Sequence, residues 1–307
     1  MLAPAQVEQF MELGWTVLPE AFPRRSALAA QDYLWARVAE RGPQREDPAT
    51  WTAPMVQISE SYSDPVFRAC ATGRLADAVE DLVGPGRWTG RAESGGWGWW
   101  PVNFALGADR PWDVPTGGWH WDGQHFRHFV DAPNQGLLLL CVFSDVRPHG
   151  GGTVVAEGSH QVVAEFLSSH PEGLELGPAI GLCTRGHPWL AELTGHAEPG
   201  ADPYATQGAG AAAPGRVARF MEQPHRDAAG RRLRVVETTA AAGDVLLCHP
   251  FLFHAASQNH LRVPRFMCNR TTPLRERLNL ARSDPADHSP LEESIRRALA
   301  LAAQRRP

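Results

Sequence analysis

The stretch Gly117-Gly118-Trp119-His120-Trp121-Asp122-Gly123-Gln124 sets a histidine and a carboxylate two residues apart between glycines and tryptophans. On an extended strand, side chains at i and i+2 leave the same face, so His120 and Asp122 can converge on one point. One imidazole nitrogen and one carboxylate oxygen, joined by a second histidine, form the 2-His-1-carboxylate face that holds non-haem Fe(II) and leaves positions open for chemistry. On its own the tripeptide is more simply read as a solvated strand whose polar side chains face water.

A second segment changes the balance. Gly243-Asp244-Val245-Leu246-Leu247-Cys248-His249-Pro250-Phe251-Leu252-Phe253-His254-Ala255-Ala256-Ser257-Gln258-Asn259 reads as a turn, a buried apolar strand, and a histidine where the apolar run gives way to polar residues. It offers two imidazoles, His249 and His254. Their odd separation puts them on opposite faces of a strand, so at most one joins His120 and Asp122. His249-Pro250 reads better as a turn.

Taken together, His120-Trp121-Asp122, His254, and Arg265 eleven positions later resemble the iron- and 2-oxoglutarate-dependent oxygenases of the phytanoyl-CoA dioxygenase family. Between them, Phe143-Ser144-Asp145-Val146, Gly150-Gly151-Gly152-Thr153-Val154-Val155 and Gly158-Ser159-His160 are similar to that family's strand, glycine turn and proline-glycine-serine-histidine segment, with Glu157 standing where the family has proline. The resemblance runs from about Val7 to Pro273. It implies a double-stranded β-helix, the jelly-roll or cupin-like fold. It also implies Fe(II) on His120, Asp122 and His254, with 2-oxoglutarate and O2 as co-substrates and succinate and CO2 as products. His254 is favoured over His249 because Arg265 follows it at the family's interval. Arg265 would clamp the distal carboxylate of 2-oxoglutarate with its planar guanidinium, a geometry lysine does not copy. Arg262, on the opposite face by parity, is the alternative, and a solvated basic pair around Pro264 also fits. Asn103, in Pro101-Val102-Asn103-Phe104, resembles the family's strand asparagine that contacts the co-substrate; a buried asparagine without partners is costly, which points it at the pocket.

The expected outcome is hydroxylation of an unactivated C–H bond in a small metabolite. Desaturation, epimerisation and rearrangement begin with the same hydrogen abstraction and stay open. Asp122 occupies the place a halogenase of this fold leaves to chloride. From another class, a non-catalytic ligand-binding jelly roll is the alternative. Trp97, Trp99, Trp100, Trp119 and Trp121 suit either a substrate wall or barrel filling, and His125, Arg127 and His128 either a polar substrate or a solvated loop.

Composition narrows the partners. At 307 residues the chain can bury a large core. A formal net charge of -5 and pI near 6.2 give no basic footprint for nucleic acid, and no basic cluster for the phosphates of CoA. Cys70, Cys141, Cys183, Cys248 and Cys268 lack C-x-x-C spacing and read as reduced, buried thiols. There is no basic leader followed by an apolar core and no run long enough to span a bilayer. A cytoplasmic enzyme, monomer or homodimer, acting on a small molecule away from membranes is the expectation.

The organisation read from the pattern is mainly β with flanking helices, one domain over 1–307. A helical flank covers 1–86, with a helix to a C-cap at Gly14, a strand from Trp15 to Pro19, a helix N-capped by Ser26, a loop at 41–60 and a helix from Pro65 to Val83. The core, 87–273, holds strands at about 97–105, 119–123, 136–145, 152–156, 232–238, 243–248 and 265–271, with Trp97 and Trp99 on one face. An insertion at about 161–231 carries short helices at Val162–Ser168 and Trp189–Thr194, then an alanine-, glycine- and proline-rich run from Pro199 to Gly215; lid and surface excursion fit it equally. A capping box at Ser289-Pro290-Leu291-Glu292 opens a helix within 274–307, with Leu291, Ile295, Leu299 and Ala302 on one stripe and Arg296, Arg297, Arg305 and Arg306 mostly off it.

Overall fold

The structure, a computed structural model, describes residues 1–92, 96–195 and 215–304. The run from Pro199 to Gly215 therefore lies outside the described residues apart from Gly215, as do Arg305 and Arg306.

The first helix, α1 (Pro4–Leu13), takes proline in its first turn and stops at Gly14, whose φ of 88° returns its N–H to Phe10 O. Only glycine enters that conformation freely, and here a Cβ would also strike the His160 ring at 2.5 Å. This turn feeds β1 (Trp15–Leu18). α2 (Arg24–Ala39) starts earlier than Ser26, because Pro23 has the φ of a first turn and Ser26 N closes on Pro23 O. The expected loop at 41–60 contains a strand, β2 (Met55–Ile58), too short to leave a periodic signal. The expected helix over 65–83 is two, α3 (Pro65–Arg68) and α4 (Gly73–Val83), because Thr72 leaves the helix to cap Leu75 N.

Then come β3 (Trp100–Asn103), β4 (Leu138–Val142), β5 (Thr153–Glu157), α5 (Ser159–Ser168), α6 (Leu176–Arg185) and α7 (Pro188–Thr194). β6 (His225–Arg226), β7 (Arg232–Glu237), β8 (Val245–Cys248), β9 (His254–Ala256), β10 (Met267–Thr271) and α8 (Pro290–Ala303) complete the order. One antiparallel sheet runs β1-β8-β4-β10 and another β6-β7-β5-β9, with β2 and β3 paired beside them. The N-terminal region is thus more than a flank, since β1 is the edge strand of the first sheet, Trp15 facing Cys248.

Alternation sorts the core. Leu138, Leu140 and Val142 of β4, Leu246 and Cys248 of β8 and Met267 of β10 share one apolar cluster with Val155 of β5, so the two sheets face each other across it. Leu139, Cys141, Val245, Leu247 and Cys268, the intervening residues, turn outward into the cluster that also holds residues of α2, α4, α5 and α8. β4 and β8 are buried on both faces for that reason. α8 opens with the capping box read from the sequence, Ser289 Oγ accepting from Glu292 N, and packs on α1, α4 and α5 of its own chain. All five cysteines are free and buried. No described helix is long and apolar enough to cross a membrane.

Candidate metal centre

His254 opens β9, where it stands opposite Val155 and so points between the sheets. His120 is held by one isolated bridge, His120 N donating to His254 O at 3.1 Å and His254 N to His120 O at 2.9 Å. The strand expected at 119–123 is reduced to this pair, because Gly118 and Gly123, both at positive φ (76° and 124°), turn the chain on either side. Convergence of His120 and Asp122 survives the shortening: His120 Nε2 lies 3.2 Å from Asp122 Oδ1, and His254 Nε2 lies 3.9 Å from the same oxygen. One donor atom from each of the three residues lies within 4.8 Å of the others.

The backbone sets the tautomers. His120 Nδ1 sits 2.8 Å from Gly118 O and His254 Nδ1 3.1 Å from Leu252 O. A carbonyl only accepts, so each Nδ1 carries a proton; His254 Nε2 is left with a lone pair toward Asp122, and His120 Nε2 presents one there once it gives up the proton it shares with that carboxylate, the arrangement metal-bound histidines require. His254 Nε2 is buried and has no hydrogen-bond partner. Burial lowers the His254 imidazolium to about 4, with His120 adding to the fall, so this side chain is neutral at physiological pH. Burial also opposes charge on His120, but the hydrogen bond and charge of Asp122 more than offset it and its pKa rises. Asp122 behaves likewise: burial opposes its charge, and the His120 hydrogen bond with the neighbouring imidazoles holds its carboxyl far below the usual range. A neutral His254 nitrogen whose buried lone pair has no partner, one carboxylate, and a His120 nitrogen freed by the loss of one proton fit a divalent cation.

Asn269, on β10, went unremarked in the sequence, yet its Nδ2 donates to Asp122 Oδ2 at 3.3 Å. Parity counted from Arg265 would have found it, since Met267 and Asn269 follow on the same inward face while Phe266 and Cys268 turn outward. Arg265 is 2% exposed; its Nε donates to Gly151 O and its Nη1 to Pro101 O. It borders the narrow space between the sheets with Leu140, Thr153 and Met267, and burial lowers its pKa to about 10. Among the described residues no carboxylate pairs with it. Arg262, by contrast, sits exposed at φ 53°.

Asn103 is fully buried, and both ends of its carboxamide meet backbone: Nδ2 donates to Ser257 O and Oδ1 accepts from Leu106 N. His249 is a core residue, its Nδ1 accepting from Phe251 N and its ring lying against Phe10 and His160. Trp119 and Trp121 fill the interior, their indole N–H groups donating to Pro115 O and His128 Nδ1. Trp97 and Trp99 do not share a face: Trp97 is buried, whereas Trp99, at φ 62°, breaks the alternation and is 52% exposed. His125 is exposed, and Arg127 reaches Gly173 O and Glu175. Within the expected insertion, Arg216 is buried and donates to Val114 O, Pro115 O and Leu193 O, tying α7 to the segment that leads into Gly117.

No protein-family model matches the chain, and no curated protein does. Solved structures similar to it include HygX from Streptomyces hygroscopicus with nickel and 2-oxoglutarate bound, at 14% identity over 88% of this chain and 86% of that one, TM-score 0.46. EctD from S. alaskensis with bound Fe is 18% identical over 87% and 75%, TM-score 0.47. The epimerase SnoN in complex with Fe3+, alpha ketoglutarate and nogalamycin RO is 17% identical over 86% and 80%, TM-score 0.45. At such distance a likeness assigns no activity, and the side chains must.

Proposed function

We propose that this chain is a single-domain Fe(II)- and 2-oxoglutarate-dependent dioxygenase that hydroxylates an unactivated C–H bond of a small metabolite. The facing sheets form a double-stranded β-helix around the centre. The observation that carries the reading is the buried lone pair of His254 Nε2, without a partner, 3.9 Å from Asp122 Oδ1 and converging there with His120 Nε2.

In this reading His120, Asp122 and His254 hold Fe(II) on one face. Fe(II) with 2-oxoglutarate supplies the chemistry: one atom of O2 goes to the substrate as hydroxyl and the other to succinate, with loss of CO2. The protein's part is placement. Gly118 O and Leu252 O keep both imidazoles in the ligating tautomer, and Asn269 orients the carboxylate. Arg265 takes the distal carboxylate of the co-substrate. It lies four residues from Asn269 on the same strand face, about 13 Å of backbone, a span that the guanidinium and an extended diacid cover together. Asn103 acts at one remove, bracing the Ser257 turn beside β9.

The test is anaerobic titration of the Fe(II) protein with 2-oxoglutarate. A metal-to-ligand charge-transfer band is expected in the wild type and lost in Asp122→Ala. A wild type that binds both components without the band rejects the proposal.

A further inference from the structure

A second pocket wall meets the metal centre at Asp122. This narrow pocket is closed by Phe126, His128, Gln135, Pro250 and Phe251. Gln135 is 4% exposed, and neither its Nε2 nor its Oε1 has a hydrogen-bond partner. A buried amide with both ends unpaired destabilises a fold, so such groups are normally matched or have a ligand to meet. The other polar groups on this wall are engaged. His128 Nδ1 accepts from Trp121 Nε1 and its Nε2 meets Gly123 O, while the Asp122 oxygens face His120 and Asn269.

We propose that Gln135 is the polar anchor of the substrate pocket, receiving a neutral hydroxyl or carbonyl end group beside the metal centre. This rests on the metal-centre reading above. The chemistry of the wall selects the group. A carboxamide both donates and accepts, matching a hydroxyl or an amide at once. No lysine or arginine lines the pocket, so no side chain there pairs with an anionic end group. Phe126, Pro250 and Phe251 offer apolar walls around the anchor. The pocket admits little more than a water-sized group, so it grips only the end of a substrate whose body lies outside it.

The experiment uses full-length protein loaded with Mn(II) and 2-oxoglutarate, and formamide as the probe because it is small, neutral and both donor and acceptor. The bound paramagnetic ion speeds relaxation of the formamide proton if the probe sits beside it. Wild type is expected to show the enhancement and Gln135→Met to lose about fivefold of it, one neutral hydrogen bond's worth. Gln135→Met should melt at or above the wild-type temperature, because it removes an unpaired buried amide. Equal enhancement in both proteins means that formamide reaches the ion without Gln135 and overturns the anchor. No enhancement in wild type overturns it too, as does unfolding of both Gln135→Met and Gln135→Leu, which would make the amide structural. Electron paramagnetic resonance separates the two readings: if wild type leaves Mn(II) free in solution, the metal centre itself fails.

Discussion

Asn269 Nδ2 donates to Asp122 Oδ2 at 3.3 Å while Oδ1 of the same carboxylate faces His120 Nε2 at 3.2 Å. The two oxygens are thereby made unequal: one is tethered to β10, and one is left for a cation. Outer partners of this kind typically contribute 10–100-fold to metal affinity. Asn269→Leu should therefore weaken Mn(II) binding by about tenfold, measured by calorimetry, without lowering the melting temperature of the metal-free protein by more than a few degrees. An unchanged dissociation constant would show that β10 takes no part in orienting the carboxylate.

Metal uptake should cost one proton, not two. The His120 pKa is raised by Asp122, so a cation arriving below that pKa must displace its proton, whereas His254, lowered to about 4, is already neutral. Affinity should fall by about tenfold for each pH unit below the His120 pKa, the slope of a single linked proton. Calorimetry across pH 5.5–7.5 in buffers of different ionisation enthalpy reads the proton count directly. A count near two would mean that His254 is protonated in the metal-free site.

Replacing Arg265 separates co-substrate binding from metal binding. Lysine has no planar fork, and at this position it could not satisfy Gly151 O and Pro101 O while also facing an anion. Arg265→Lys is expected to raise the 2-oxoglutarate dissociation constant by about 10- to 100-fold with metal affinity unchanged, read from the charge-transfer band. Unaltered 2-oxoglutarate affinity would move the anion site elsewhere.

The contrast between Asp122 and Trp99 shows what a sequence carries. The meeting of His120, Asp122 and His254 was legible because side chains at strand parity leave one face, and parity survives even where the strand shrinks to one bridge. Trp99 defeated the same rule: a non-glycine residue at φ 62° leaves no mark in the pattern, and it reverses the face of everything inferred through it. α6 was invisible for a different reason. Gly177, Pro178 and Gly181 oppose helix formation locally, and burial of Leu176, Ala179, Ile180 and Cys183 supplies the stability that propensity lacks. β2 exists because β3, distant in the chain, offers it a partner.

Two histidines that no ligand explains set the acid limit of the fold. His160 Nε2 meets Met11 O at 3.2 Å, and its ring lies against His249 at a centroid distance of 4.8 Å. Burial lowers His160 to about 4 and His249 well below its ordinary value. In the unfolded chain both return to about 6.5. Folded pKa values below unfolded ones mean that unfolding takes up protons, so the stability is whole above about pH 6.5 and declines as pH falls toward 4, by up to about 1.4 kcal/mol per pH unit for each group. Urea midpoints of the metal-free protein should fall from pH 6.5 to pH 5, an interval in which His254 adds to the decline and His120, whose pKa is raised, adds little slope. A level response throughout would mean that the pair is protonated in the fold.

Glu292 should be the most sensitive single carboxylate for stability, and its effect should stay away from the metal. The sequence exposed only its role in the capping box. The fold adds Arg87 and Arg282, at 2.7 and 2.8 Å, to a side chain only 1% exposed, with Asn279 N donating to it as well. Burial alone would raise its pKa, but the Arg282 hydrogen bond and the other donors lower it to about 2. Glu292→Gln keeps the shape and leaves two guanidinium groups facing a neutral amide, one of whose ends is itself a donor. Breaking a buried pair in this way costs about 3 kcal/mol, against about 1 kcal/mol for Ser289→Ala, which removes only the cap. Because the folded pKa lies below the unfolded value of about 4.3, the contribution is present above that pH and is lost as pH falls toward 2, below the window governed by the histidines. Denaturant titration at pH 7 distinguishes the two variants, and Mn(II) affinity should match wild type in both. A Glu292→Gln protein as stable as Ser289→Ala would mean that the arginines bind the helix no more tightly than solvent does.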